Sequence, residues 1–256
     1  MCMAEIKKFI FDVDGTLTPS RRRINKHFEK WFWGFIQTNK TWLVTGSDDP
    51  KTLEQLGKDI CEEVVTVYNC SGNETRFRGK IVNASSWQLP DSARHWLEME
   101  LVRSPFLPQT GNHIEERRGC VNFSIVGRNA TAEQRLRYIK YDRKNNDRLH
   151  TARTFNYVFG SESLGLTAQI GGETGLDIYP IGRDKAQILD DFSKDDEIYF
   201  FGDKMEIGGN DWSLANALKD YPNARCFQVK DQFVLEQNSY RGTLKLLKLG
   251  RSYTTG

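Results

Sequence analysis

No run of apolar residues approaches the ~18 needed to cross a bilayer, and the N-terminal stretch MCMAEIKK has no apolar signal core. The expected compartment is the cytoplasm. Charge of one sign is lacking as well, since 36 lysines and arginines face 34 aspartates and glutamates in 256 residues. Without a basic excess the chain has no electrostatic footprint of a general nucleic-acid binder, and small molecules are the expected partners. Paired thiols are also missing. Cys2, Cys61, Cys70, Cys120 and Cys226 are odd in number, scattered and without a CxxC spacing, which argues against a disulfide framework or a thiolate zinc site. N-x-S/T sequences such as those starting at Asn73, Asn83, Asn122 and Asn129 have meaning only in a secreted chain and are discounted. There is no internal repeat, and the length suits one large core, or one core with a smaller satellite.

What is present is an alternation of short apolar runs and helical patterns, which predicts an α/β chain with a parallel sheet. KKFIFDV reads as a buried first strand and TWLVTGSDD as a second strand running into a polar turn. Between them Phe28, Trp31, Phe32, Phe35 and Ile36 recur at helical spacing, as a face packed on the sheet. DPKTLEQLGKDI carries an aspartate cap, Pro50 in its first turn and Leu53, Leu56 and Ile60 on one face, so one helix is expected there. EIYFFGD, residues 197 to 203, is again an apolar strand ending in aspartate. Residues 83–182 differ: they are charged, arginine-rich and contain alternating segments such as GCVNFSIVG that suggest half-exposed antiparallel strands. The expected organisation is a core of residues 1–82 and 183–256 with 83–182 inserted, and RSYTTG as a loose tail.

FIFDVDGTLT, residues 9 to 18, places two aspartates at the end of the first strand. In open α/β sheets ligands bind beyond the carboxyl ends of the strands, so Asp12, Asp14, Ser47, Asp203 and Asp211 are expected to converge. Like charges brought together need a cation. A set of oxygen donors without histidine suits magnesium, and magnesium in turn points to a phosphate whose remaining charge calls for a lysine. Lys185, at the start of a predicted helix, is positioned for that task.

DVDGT at 12–16, a hydroxyl after the second strand, the helix-starting lysine and GDKMEIGGND at 202–211 together resemble the haloacid dehalogenase superfamily. The resemblance implies a Rossmann-like parallel-sheet core with an inserted α/β cap. It makes Asp12 the nucleophile that forms an aspartyl-phosphate and Asp14 the general acid and base. A carboxylate accepts a phosphoryl group when cations drain charge from the transition state. The phosphate hydroxyl is supplied by Thr45 or Ser47, with Ser47 favoured. Asp203 is the direct magnesium ligand beside Asp12 and Asp14, while Asn210 and Asp211 fix its waters and the lysine. Gly15 lets the chain turn away, and Thr16 is expected to hold that turn by a hydrogen bond.

TPSRRRI, RRGCVNFSIVGRNATAEQRLRY and GGETGLDIYPIGRDK narrow the resemblance to the eukaryotic-type phosphomannomutases. This resemblance implies that Arg21 contacts the sugar phosphate, that Arg117 and Arg128 hold the phosphate that is not reacting, with Arg135 in support, and that Asp177 bonds sugar hydroxyls. Guanidinium forks suit that role because they bind phosphate bidentately and keep their charge. Arg22 and Arg23 are read as surface residues. Four positions depart from the family: Gly175 stands where a serine is usual, Met205 replaces a threonine, Ile207 a proline and Arg183 a tryptophan. The implied activity interconverts hexose 6-phosphate, mannose preferred, and hexose 1-phosphate, with Mg2+ and a hexose 1,6-bisphosphate activator, in a homodimer joined through the cap. The alternatives are a sugar-phosphate phosphatase using the same aspartates, and a non-enzymatic relative that binds a ligand or partner.

Overall fold

The computed structural model describes residues 6–229 and 240–252. Cys2 and most of the expected loose tail lie outside these residues; Arg251 and Ser252 are helical. Contacts divide the chain into two compact units, one formed by the chain up to Asn83, Lys185–Ile207 and the chain from Asp211, the other by Ala84–Asp184 with Gly208–Asn210.

The first unit is built on β1 (Lys8–Asp12), β2 (Lys40–Val44), β3 (Thr66–Asn69), β4 (Glu74–Phe77), β5 (Lys80–Ala84), β10 (Ile198–Gly202) and β11 (Arg225–Gln228). Their order in the sheet is β11-β10-β1-β2-β3-β4-β5. Strands β11, β10, β1, β2 and β3 run parallel, and β4 returns antiparallel to β3. The middle strands are apolar because both faces are covered: Ile10 and Phe200 meet Leu189 and Leu214, while Phe11 and Phe201 meet α1 (Lys26–Ile36). Phe11 stacks on Phe201 at 4.8 Å between ring centroids and meets Phe32 edge-on at 5.5 Å. The predicted aromatic face of α1 is therefore core, started by Asn25, whose side chain accepts from the backbone N–H groups of His27 and Phe28.

One predicted helix is two. Pro50 lies in the first turn of α2 (Asp49–Leu56) as expected, but the capping aspartate is Asp48, one residue before the expected Asp49, and Gly57 adopts φ 84 and starts a separate helix, α3 (Lys58–Glu63). The break also changes which face is buried: Thr52, Gln55 and Leu56 point inward, and Leu53 is only partly covered.

The second unit holds β6 (Ile114–Arg117), β7 (Cys120–Phe123), β8 (Leu166–Gly171) and β9 (Gly175–Pro180) in the antiparallel order β6-β7-β9-β8. Its helices are α4 (Asp91–Arg103), α5 (Ala132–Asn145) and α6 (Asp147–Phe159). They supply Leu97, Tyr138 and Phe155 to a core with Val121, Phe123, Leu176 and Ile178. A Thr131–Gln134 capping box starts α5. Contrary to the half-exposed expectation, every residue of β7 is buried, because it is an interior strand whose polar side chain, Asn122, is covered by the residues it bonds. Helix α7 (Trp212–Ala217) follows the loop after β10, and α8 (Tyr240–Ser252) closes the first unit. There Thr243 Oγ1 donates to the Thr16 carbonyl at 2.7 Å.

Candidate active site

Strand order decides what meets at the sheet's carboxyl edge. With β10, β1 and β2 adjacent and parallel, the residues that end them or follow them, Asp203, Asp12 and Ser47, come from neighbouring strands. After Asp12 the chain turns tightly: Leu17 and Thr18 N–H groups donate to the Val13 carbonyl at 3.0 Å, and Gly15 N–H donates to Thr18 O at 2.8 Å. These backbone bonds hold the turn. Thr16 does not do so with its side chain, since its Oγ1 is buried without a partner.

Gly15 is required for two reasons. Its φ is +86, and a Cβ there would lie 2.3 Å from Asp203 Oδ2. Gly15→Ala is expected to cost about 2 kcal/mol from the backbone conformation alone and to displace the Asp203 carboxylate. A thermal melt with and without magnesium checks it: an unchanged magnesium response would show that Asp203 had not moved.

Asp12, Asp203 and Asp211 offer carboxylate oxygens within 4.8 Å of one another. Lys185, the first residue of a short 3-10 run rather than of an α-helix, lies among them with 1% exposure. Its Nζ donates to Asp12 Oδ1 and Asp211 Oδ1, both at 2.6 Å. Burial alone would lower the Lys185 pKa, but the charges of Asp12 and Asp211 outweigh it and keep the amine protonated. The carboxylates are in excess. Burial pushes Asp12 well above the usual range against the pull of Lys185, with Asp211 and Asp203 adding to the rise. Burial likewise raises Asp203 to about 7, opposed by Lys204 and aided by Asp211.

The donor set fits the expected hard cation. Asp12 Oδ2 and Asp203 Oδ1 are buried oxygens with no hydrogen-bond partner, which is costly unless a cation or ordered water completes them. Asp211 is otherwise engaged: beyond Lys185, its Oδ2 accepts from the Lys204 N–H at 3.0 Å. Its geometry is that of a group aligning the lysine and the loop. Asn210 Oδ1 is also buried without a partner; Asn210 groups with the second unit.

Asp14 stands apart from that cluster. Its Oδ1 accepts from the Arg21 N–H at 2.6 Å and Gln55 Nε2 at 3.0 Å, and its Oδ2 from Ser47 Oγ at 3.2 Å. The strand ends at Asp12, and the turn after it brings Asp14 to Ser47, beyond β2, and to Gln55 of α2. Of the two hydroxyls after β2, Thr45 is buried with its Oγ1 accepting from the Ser47 N–H, whereas Ser47 reaches Asp14. Arg21 meets Asp14 through its backbone, at φ 60, with its side chain exposed. Gln55, fully buried, is a site neighbour that periodicity does not single out. The available signal was a polar residue one position before Leu56 on the inward face of α2.

Within the second unit a polar row crosses the sheet. Register places Glu115 opposite Asn122, Asn122 opposite Asp177, and Asp177 opposite Gln169, all on the face away from the helices. Arg117, two residues after Glu115 on the same face, donates to Glu115 Oε2 at 3.1 Å and lies 3.8 Å from Asp177. Arg128 pairs with the same Glu115 oxygen. The two arginines expected to act together are thus joined, by a glutamate that the sequence reading passed over and that strand alternation could have found. Burial works against the charge on Arg117, but Asp177 and Glu115 hold its pKa above the ordinary value. Arg135 is paired elsewhere, with Glu173.

Gly175 has no positive φ; instead a Cβ would meet Asn122 Nδ2 at 2.6 Å. That amide donates to Asp177 Oδ1 at 2.7 Å. Gly175→Ser should therefore push Asn122 off Asp177 and destabilise the second unit by about 1–2 kcal/mol, the cost of breaking a buried bond. An unchanged melting temperature would mean that Asn122 can yield.

Three comparisons with known proteins bear on this geometry. The sequence model of the eukaryotic phosphomannomutase family matches residues 34–220. Curated relatives include the phosphomannomutase of Saccharomyces cerevisiae, 34% identical over 80% of this chain and 83% of its own length. That of Triticum aestivum is 33% identical over 89% of this chain and 95% of its own. Similar solved structures include a trehalose-6-phosphate phosphatase related protein, with TM-score 0.55 and 15% identity over 96% of this chain and all of the other. A Plasmodium falciparum IMP-nucleotidase gives TM-score 0.62 and 13% identity over 95% of this chain and 67% of its own. At such identities the structural matches show the fold alone, a haloacid dehalogenase-type core with a second α/β unit.

Proposed function

Because the chain belongs to the eukaryotic phosphomannomutase family, we propose that it interconverts hexose 6-phosphate and hexose 1-phosphate, mannose preferred, through a phosphorylated Asp12. The observation that carries this reading is the Asp12 carboxylate itself. It is 1% exposed, held at one oxygen by a buried lysine and left with its other oxygen unpartnered. A carboxylate so placed is oriented for attack, and it faces a lysine that can neutralise a phosphoryl group.

In the forward half-reaction Asp12 attacks one phosphorus of a bound hexose 1,6-bisphosphate, forming the aspartyl-phosphate as the bond to that sugar oxygen breaks and a hexose monophosphate remains. Asp14 gives its proton to that leaving oxygen. In the return half-reaction a sugar hydroxyl attacks the aspartyl-phosphate while Asp14 takes its proton, so the enzyme ends where it began. Ser47 and Gln55 hold Asp14, and the Ser47 hydroxyl would pass to a phosphate oxygen when substrate binds. A hexose 1,6-bisphosphate is the species that phosphorylates Asp12 at the outset. Asp12 and Asp203 would hold magnesium, with Asp211 and Asn210 ordering its surroundings; when bound it supplies positive charge to the transferring phosphoryl group. Arg117, Arg128 and Arg135, with Arg21, would hold the phosphate that is not reacting, and Asp177 the sugar hydroxyls.

Incubation with mannose 1-phosphate or glucose 1-phosphate, with and without hexose 1,6-bisphosphate, while following the 6-phosphate and free phosphate together, tests the reading. Bisphosphate-dependent 6-phosphate is expected. Free phosphate as the sole product, even with bisphosphate present, would replace transfer to a sugar by transfer to water.

We also infer a cytoplasmic homodimer joined through the second unit, which exposes Val102 and Tyr157 on its helices α4 and α6. Light scattering should report twice the 29.5 kDa chain mass; a monomer at micromolar concentration would remove the dimer from the reading.

A further inference from the structure

The three arginines assigned above to the distal phosphate each meet a carboxylate: Arg117 meets Glu115 and Asp177, Arg128 meets Glu115, and Arg135 meets Glu173. Two of these acids are built into the sheet. Glu115 and Asp177 sit in the polar row across β6, β7 and β9, where neighbouring strands fix them. Glu173 is different, because it lies at the tip of the β8–β9 turn and its side chain is 41% exposed, against 18% for Arg135. Arg135 Nη2 donates to Glu173 Oε2 at 3.1 Å.

The turn is shaped to bring Glu173 there. Gly172 takes φ +56, a conformation that glycine adopts without steric cost. Gly171 leaves room for Asp177, whose Oδ2 would be 2.1 Å from a Cβ. From the tip the chain passes directly into β9 through Gly175 and Asp177, so Glu173 stands at the end of the same strand that carries the sugar-binding aspartate. A carboxylate there puts negative charge on the one arginine of the set whose counter-ion is not anchored in the sheet.

We propose that Glu173 is a specificity-determining residue: by occupying Arg135 it weakens the hold on a distal, dianionic phosphate and so disfavours a hexose bisphosphate relative to a ligand whose phosphate occupies the reacting site alone. The inference rests on the reading that Arg135 faces the non-reacting phosphate. Like charge between Glu173 and that phosphate adds to the competition for the guanidinium, and both effects are electrostatic and screened by salt. A bisphosphate held less firmly leaves more readily between half-reactions, so the need for added activator rises with this residue.

The test uses the full-length protein carrying Asp12→Asn, which cannot turn the ligand over, with magnesium present, and calorimetric titration of glucose 1,6-bisphosphate and of inorganic phosphate. Adding Glu173→Gln should tighten bisphosphate binding about fivefold at low salt, the scale of a partly exposed ion pair. The gain should shrink at high salt, and inorganic phosphate, which needs only the reacting site, should bind as before. Glu173→Ala should act in the same direction, and thermal melts confirm that both variants are folded. Arg135→Ala is the control that separates the two levels of argument. If it weakens bisphosphate binding while neither Glu173 variant tightens it, the inference is overturned and the arginine assignment stands. If Arg135→Ala leaves bisphosphate binding unchanged, Arg135 leaves the phosphate set and the role of Glu173 goes with it. Equal gains for both ligands would make the effect a general change of charge, which also overturns it.

Discussion

Asp12→Asn is expected to abolish transfer and hydrolysis together, by roughly 10^4-fold or more, the scale seen when a nucleophile acting within a unit is removed, while the fold survives. The two halves of that expectation have separate causes. Chemistry stops because an amide does not form the acyl-phosphate. Stability is retained because Asp12 and Asp211 are two buried carboxylates bonded to one lysine, with Asp203 beside them, and burial already opposes the charge of Asp12. The substitution removes a like charge from Asp203 and Asp211 and leaves Lys185 its contact at 2.6 Å with Asp211. The metal-free protein should therefore melt no lower than the parent. Product assays and melts on one preparation, with mass spectrometry to exclude deamidation back to aspartate, check both halves. Near-parental turnover would move the nucleophile elsewhere.

Lys185→Met has the opposite balance, costing stability as well as activity. Methionine fills much of the same space but leaves the buried Asp12 and Asp211 without the lysine they share, and breaking a buried ion pair from one side costs about 3–5 kcal/mol. For a chain of this size the melting temperature should fall on the order of 10 °C. The transfer rate should drop by roughly 100- to 1,000-fold, as when one preorganised charge is withdrawn from a transition state. Magnesium should restore part of the lost stability, because it replaces the missing positive charge and binds only the folded cluster. The pH response follows from the sign. Carboxyls raised in the fold bind protons more tightly there than in the unfolded chain, so the variant should be most stable at acid pH and lose stability as pH rises through the raised values. Melts from pH 5 to 8 with and without magnesium measure this. A variant as stable as the parent at every pH would mean that the carboxylates do not need the lysine.

Both outcomes depend on contacts between residues far apart in the chain, and here the limits of sequence reading become visible. Local order settled a good deal. Apolar runs ending in aspartate marked β1 and β10, aromatic spacing marked α1, and the change in composition near residue 83 marked the start of the second unit's segment. These features are legible because a strand or helix face needs residues at fixed short spacing, and because ligands collect at the carboxyl ends of parallel strands. The motif order puts Asp12, Ser47, Lys185 and Asp203 in segments of one unit. The spacing of the arginines put Arg117 and Arg128 together.

Direction and partnership were decided only by the tertiary structure. The sequence places Asp12 and Asp14 two residues apart at a strand end; a backbone-bonded turn brings Asp14 to Ser47 and Gln55. Asp211 was expected to fix both the metal's waters and the lysine; the 2.6 Å bond to Lys185, across 26 residues, gives the partner and distance for the second of these. Glycine at 175 could have been a conformational need, but Asn122, on the neighbouring strand, fills the space beside it. Glu115 and Glu173 sit on the arginines for the same reason: register and a turn bring acids from other segments to them. A sequence determines which groups are available and which face of a local element they share. Which charge meets which is determined by the packing of those elements, because electrostatic and hydrogen-bond energies depend on distances of a few ångströms that no spacing along the chain encodes.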